Sequence, residues 1–226
     1  MDIIQQFIRY PLESIPFVVI SLLIAFTVHE FAHAFVAYKF GDHTAQKQGR
    51  LTLNPIAHLD PIGTLLIFIA GFGWARPVPV NRFYFKNPRL AGILVSIAGP
   101  ISNLLVALIA IILFYLLATL GVFSSLSGIA LEAVEQFFNI LISLNIMLFV
   151  FNLLPFPPLD GYRIIEDLMP GNIRAKMTQY ESYGVILFLF LVITPIGDRT
   201  ISPFLSNGIY LVQETLFNLI RPLFGF

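Results

Sequence analysis

Two histidines four residues apart with a glutamate beside the first, His29-Glu30-Phe31-Ala32-His33, form the sharpest chemical pattern in the chain. Residues four apart on a helix lie on one face, so both imidazoles can reach one zinc ion. Glu30 then stands next to the first ligand, where its carboxylate can take a proton from water at the metal. The same pentapeptide also arises by chance on ordinary helices. Here it lies near the end of an apolar tract, where two imidazoles and a carboxylate are costly in hydrocarbon unless paired, metallated or turned toward a cavity, and the metal reading is preferred.

A tetrahedral catalytic site needs a third protein ligand and an open position. Asp160 is the candidate. It ends an uncharged tract in Asn152-Leu-Leu-Pro155-Phe-Pro157-Pro158-Leu-Asp160-Gly161, where three prolines interrupt regular helix and Gly161 permits a tight turn. The alternative is an ordinary helix exit with a solvated aspartate. Asn152, just before the break, either bonds an extended substrate backbone or a developing oxyanion, or packs helices. Asn103, in Ala98-Gly99-Pro100-Ile101-Ser102-Asn103, reads as a bond to a neighbouring helix rather than a catalytic group, with Ala98 and Gly99 permitting close approach. His58 and Asp60 read as turn chemistry or as groups near a water path, and His43 as a solvated loop histidine. Gly71, Gly73 and Val78-Pro79-Val80 suggest an extended element whose free backbone pairs with an unwound substrate as an added strand; a plain re-entrant turn with Trp74 at the interface is the competing reading.

The elements that must position these groups are apolar. Of 226 residues, 57% are hydrophobic and 12% charged, against roughly 25% charged in a soluble domain. The 13 basic and 13 acidic residues leave no excess to hold a nucleic-acid backbone, and the absence of cysteine removes disulfides, thiolate nucleophiles and thiolate metal sites. Uncharged tracts lie between Glu13 and His29 and over residues 90–131, 136–159 and 182–197. Residues 61–75 and 200–213 are shorter and ambiguous. The expectation is an all-α polytopic membrane bundle of about four to six transmembrane helices, with a re-entrant or extended element near residues 61–80. Lys39, Lys47 and Arg50 precede the 61–75 stretch, and Arg76, Arg82, Lys86 and Arg89 follow it, so a full crossing would put one basic cluster on the wrong side. Residues 121–136 carry no Lys or Arg and belong outside, whereas Arg163, Arg174 and Lys176 place 156–180 in the cytoplasm. This puts the N-terminus outside, against the sign of Arg9. Irregular backbone at membrane depth implies a cavity. No repeat or linker divides the chain, so residues 1–226 are read as one domain.

HEFAH followed by NLLPFPPLDG resembles the paired signatures of the site-2 protease family of intramembrane zinc metalloproteases. That resemblance implies that His29, His33 and Asp160 hold one zinc per chain and that Glu30 activates water. Similarity to the family's small bacterial branch continues in GRLTLNPIAHLDPIG (Gly49–Gly63), GFGWARPVPVN (Gly71–Asn81) and AGPISN (Ala98–Asn103), so that it covers roughly residues 15–165. The PDZ and cystathionine-synthase-type domains of some relatives are not found, which assigns substrate choice to the membrane core or to another protein. The function implied is an endopeptidase of a multi-pass protein in a bacterial cell membrane, cutting transmembrane protein or peptide substrates within the lipid bilayer near its cytoplasmic side. A membrane metal transporter or channel is the first alternative, but no half-repeat and no file of ligands crosses the sequence. A non-proteolytic scaffold that binds transmembrane helices is the second, and the complete HExxH and aspartate set argues against it.

Overall fold

The computed structural model describes residues 11–70 and 73–226. Gly71 therefore lies outside the described residues. The described residues form eight α-helices in order: α1 (Ile15–Lys39), the single turn α2 (Thr44–Lys47), α3 (Pro61–Ala70), α4 (Pro88–Thr119), α5 (Gly128–Asn152), α6 (Asp160–Leu168), α7 (Gly171–Ile193) and α8 (Pro195–Ile220). Among the described residues there is no strand.

Local chemistry sets the ends of the long helices. Asn87 caps α4 by accepting a hydrogen bond from the Leu90 N–H, and Pro88 occupies the first turn, where its missing N–H costs nothing. Gly121, in the left-handed region at φ 71°, ends the helix. Ser127 then caps α5 from the Ala130 N–H, so that α5 begins at Gly128. The uncharged tract over 90–131 is thus one helix, a turn and the start of the next, and the loop expected over 121–136 shortens accordingly.

The expected four to six spans are corrected to fewer. Among the described residues, three helices are long and apolar enough to cross a membrane: α1 with its preceding turn, α4 and α5. At 1.5 Å per residue even the 25 residues of α5 reach about 38 Å, beyond a hydrocarbon core of about 30 Å. A fourth is added only if α7 and α8, bent by 94° at Thr194–Pro195, count together. The break has a local cause: proline cannot donate to the ladder, and it drives the preceding residue to an extended conformation, here ψ 158° at Thr194. The ten-residue α3 is about 15 Å long and cannot span.

Helix α4 is central, packing on α1, α5 and α6. One apolar cluster joins Ala107, Ile111 and Tyr115 of α4 to Phe138, Ile142 and Ile146 of α5, with Leu216 and Ile220 of α8. Another joins Val18, Leu22, Ala25 and Phe26 of α1 to Leu144 and Leu148 of α5 and to Ile67 of α3. Fully buried alanines at 25, 34, 37, 91 and 107 let the helices approach closely. Fewer than half the residues in each of the three long helices are buried, and the outward faces carry Ile20, Leu105, Ile109 and Leu113, a surface suited to lipid.

After α3 the chain comes back along it. A Cβ at Gly73 would lie 1.9 Å from the Gly63 carbonyl oxygen, so the two stretches touch backbone to backbone. Residues 73–81 then run without helix or strand.

Candidate metal centre

His29 and His33 sit on successive turns of α1, buried, with their Nε2 atoms 2.9 Å apart. Asp160, the first residue of α6, brings Oδ2 to 3.2 Å from His29 Nε2 and 3.3 Å from His33 Nε2. On the far side of each ring, Nδ1 of His29 lies 2.7 Å from Asn103 Oδ1, and Nδ1 of His33 lies 2.7 Å from the Val95 carbonyl oxygen. The Asn103 amide is oriented by its own donors, Nδ2 bonding Asn145 Oδ1 and the Ala25 carbonyl. Both Nδ1 atoms therefore face acceptors and carry the ring protons. Both Nε2 atoms turn lone pairs toward one another and toward Asp160 Oδ2, a buried oxygen with no hydrogen-bond donor.

In the tautomer that these Nδ1 partners favour, three electron pairs converge on one point, an arrangement suited to a metal cation. The two Asp160 distances match the separation of about 3.3–3.4 Å between ligand atoms of tetrahedral zinc with bonds near 2.0–2.1 Å, while the two Nε2 atoms, 2.9 Å apart, stand closer than that. Among the described residues, these three make the one cluster able to hold a metal. Two imidazoles and a carboxylate leave a fourth position, and beside it lies a cavity of about 600 Å³ that Glu30 and Asn152 also line.

Two glycines make the site possible. A Cβ at Gly99 of α4 would lie 2.3 Å from His33 Nε2 and 2.6 Å from His29 Cε1, so only glycine leaves room for both rings. One at Gly161 would lie 2.3 Å from the Leu153 carbonyl oxygen, so glycine lets α6 start against the end of α5 and bring Asp160 inward. The Pro155–Pro158 stretch supplies the non-helical link between these helices. Helix α6 is anchored at its other end by charge. Asp167 pairs with Arg82 and Arg174, and Arg163 bridges Glu166 and Glu181. Burial works against the Arg163 cation, but Glu181 and Glu166 outweigh it and hold the guanidinium above its ordinary range.

Glu30 is buried beside the cluster, and its Oε2 accepts the Val78 N–H at 2.8 Å. Asn152 ends α5 on the cavity wall, with Nδ2 donating to the Leu148 carbonyl one turn back. Gly73 lines the cavity too. His58 is apart from the metal cluster: it is fully buried, with Nε2 on the Thr52 carbonyl. Asp60 caps α3 through the Gly63 N–H, and exposed His43 contacts Gln46. Asn103 does bond a neighbouring helix, as expected, but it also orients the His29 ring, a role that sequence reasoning missed. Its partner Asn145 and the buried Asp42 were missed as well. For the two asparagines the available signal was a polar side chain inside an apolar tract, which needs a partner in hydrocarbon.

Residues 17–194 match peptidase family M50. YwhC of Bacillus subtilis (strain 168), which bears a zinc metalloprotease name, is 58% identical over 219 residues, 97% of this chain and 99% of that protein. The Rip2 proteins of Mycolicibacterium smegmatis and Mycobacterium tuberculosis H37Rv, named likewise, are 31% and 32% identical, covering 80% and 79% of this chain and 68% and 67% of their own. No solved structure matches. With its long apolar helices and bacterial relatives, the chain is a multi-pass bacterial membrane protein. The family match takes in the whole metal cluster and Glu30, and the chain belongs to peptidase family M50, the site-2-protease-like zinc metalloproteases.

Proposed function

We propose that the chain is an intramembrane endopeptidase in which His29, His33 and Asp160 hold one zinc ion, Glu30 is the general base, and the substrate is a transmembrane segment. The observation that carries this reading is the convergence of three ligand atoms, two imidazole nitrogens and a carboxylate oxygen, beside Glu30 in a cavity between apolar helices. When bound, zinc supplies Lewis acidity toward water and toward a peptide carbonyl. Glu30 takes the proton of the attacking water and delivers it to the leaving amine. The Asn152 amide, on the cavity wall, binds the extended substrate backbone or the developing oxyanion. Asn103 and the Val95 carbonyl keep both imidazoles in the ligating tautomer.

A transmembrane helix satisfies its own backbone and hides its carbonyls, so the substrate must unwind. Strand-like pairing with the substrate falls to the backbone at Gly73, on the cavity wall, with Gly71 the second residue assigned to it from the sequence. Farther along, the Arg76 and Val78 N–H groups are already committed, and Pro77 and Pro79 have none. Residues 1–226 act as one domain with a catalytic core at about 15–165, and α7 with α8 forms a broken fourth span. His33 precedes Lys39 by six residues, about 9 Å along α1. Cleavage then falls within the bilayer toward the cytoplasmic, Lys/Arg-rich side.

Metal analysis after chelator-free purification, alongside cleavage of a transmembrane reporter in proteoliposomes, tests the reading. One zinc per chain, lowered by Asp160→Ala, with cleavage slowed by about 10²- to 10⁴-fold in Glu30→Gln, is expected. A metal-free native protein or a fully active Glu30→Gln variant refutes it; cuts in the outer leaflet refute the orientation; metal flux surviving Glu30→Gln establishes the transporter reading instead.

A further inference from the structure

The Gly49–Gly63 stretch has no task in metal binding, yet it grips the segment that covers the metal centre. The Arg76 N–H donates to the His58 carbonyl at 2.8 Å. The Arg50 guanidinium donates through Nη2 to the Arg76 carbonyl. Asp42, nearby in the same loop region, takes the Asn81 N–H at 2.6 Å. Between these anchors lies Pro77-Val78-Pro79, whose prolines have no N–H, so Val78 carries its one backbone donor, and that donor is committed to Glu30.

Arg50 is a costly residue for a mere loop contact. It is only 6% exposed, and a buried cation is costly unless it is compensated. Burial pulls its guanidinium below the usual range, and the charge that favours it is that of Glu30. Its planar fork also holds a carbonyl in a fixed direction, which a flexible ammonium does not.

We propose that Arg50 is a positioning residue of the catalytic site: by holding the Arg76 carbonyl it fixes the Pro77-Val78-Pro79 backbone, so that the Val78 N–H aims the Glu30 carboxylate at the reacting water. The inference rests on the reading of Glu30 as the base. It gives the loop motif a function, because Thr52 and His58 shape the turn whose carbonyl and neighbouring guanidinium clamp Arg76 from both sides. One carboxylate oxygen is tied to the segment, and the other is left for chemistry.

The test uses the full chain with Arg50→Met and Arg50→Lys, measuring kcat, KM and zinc content on a transmembrane reporter peptide. A second readout does not depend on cleavage. The native chain has no cysteine, so Ala75→Cys, at a half-buried position of the segment, gives a single thiol whose maleimide labelling rate reports how firmly the segment is held. Arg50→Met should lower kcat roughly tenfold to a hundredfold, the scale of a small misplacement of a reacting group. KM should stay within about twofold. Zinc should remain at one per chain, the introduced thiol should label faster, and Arg50→Lys should recover part of the rate. Unchanged kcat, unchanged labelling, or a fall in kcat that simply follows loss of zinc would overturn the proposal. If the native chain cleaves nothing, the protease reading fails separately, and the labelling rates still decide whether Arg50 holds the segment.

Discussion

Replacing Gly99 by alanine should cripple the metal centre while leaving the bundle folded. The added Cβ would stand 2.3 Å from His33 Nε2, 2.5 Å from His33 Cε1 and 2.6 Å from His29 Cε1. Carbon contacts are comfortable at about 3.5–4.0 Å, so both rings must retreat by about 1 Å. Metal–ligand distances tolerate about 0.2 Å, so the retreat takes both imidazoles out of bonding range. Loss of one outer hydrogen-bond partner weakens metal binding about 10- to 100-fold; displacing two ligands should exceed about 100-fold. The fold loses much less. Alanine gains about 1 kcal/mol over glycine in a helix interior, and overpacking costs about 1–3 kcal/mol, for a net loss within about 2 kcal/mol. Competition against a zinc chelator, with thermal unfolding in detergent, measures both quantities. Native zinc affinity in Gly99→Ala would refute the steric argument. So would a collapsed melting temperature, since the strain would then have fallen on the bundle.

Asn103→Ala removes the acceptor for the His29 Nδ1–H and the donor to Asn145, and should weaken zinc about 10- to 100-fold in the same competition assay. Glu30→Gln should keep one zinc per chain and lower kcat by about 10²- to 10⁴-fold, read as turnover of the reporter. Glu166 gives a pH prediction. Burial raises its carboxyl, but the Thr178 hydroxyl and Arg163 outweigh burial and leave it below the ordinary glutamate value. A depressed folded-state value means stability that is present above the unfolded value and lost as pH falls through the folded one. Unfolding temperatures from pH 7 down to pH 3 should therefore fall more steeply for the native chain than for Glu166→Gln, and parallel profiles would dismiss the effect.

What the sequence made legible was chemistry that depends on residue type at fixed local spacing. His29, Glu30 and His33 share a helix, so their relation is set by helical geometry alone. Asp160 was reachable because its prolines and glycine announce a break just where an inward carboxylate needs one. Helix ends were harder to read, because α5 begins at a serine cap inside an uncharged tract, and an uncharged tract does not show where one helix stops and the next begins. The 94° turn at Thr194–Pro195 was hidden for a similar reason: composition reports apolar length, not direction.

The positioning half of the site is written largely in backbone atoms. The Val95 carbonyl orients His33, the Val78 N–H holds Glu30, and the Arg76 carbonyl takes Arg50. Every residue has a carbonyl and nearly every one an N–H, so no side-chain type marks these positions in the sequence. Their visible trace is negative: glycine where a side chain would collide, and proline where a competing N–H is removed. Gly99 and Val78-Pro79-Val80 read from sequence as helix-packing and extended-chain signals because those consequences are local. Their effect on the metal centre is not local: Gly99 lies 66 positions from His33, and Val78 lies 48 from Glu30. Folding makes these pairs neighbours, and it is the neighbour that gives each small residue its purpose.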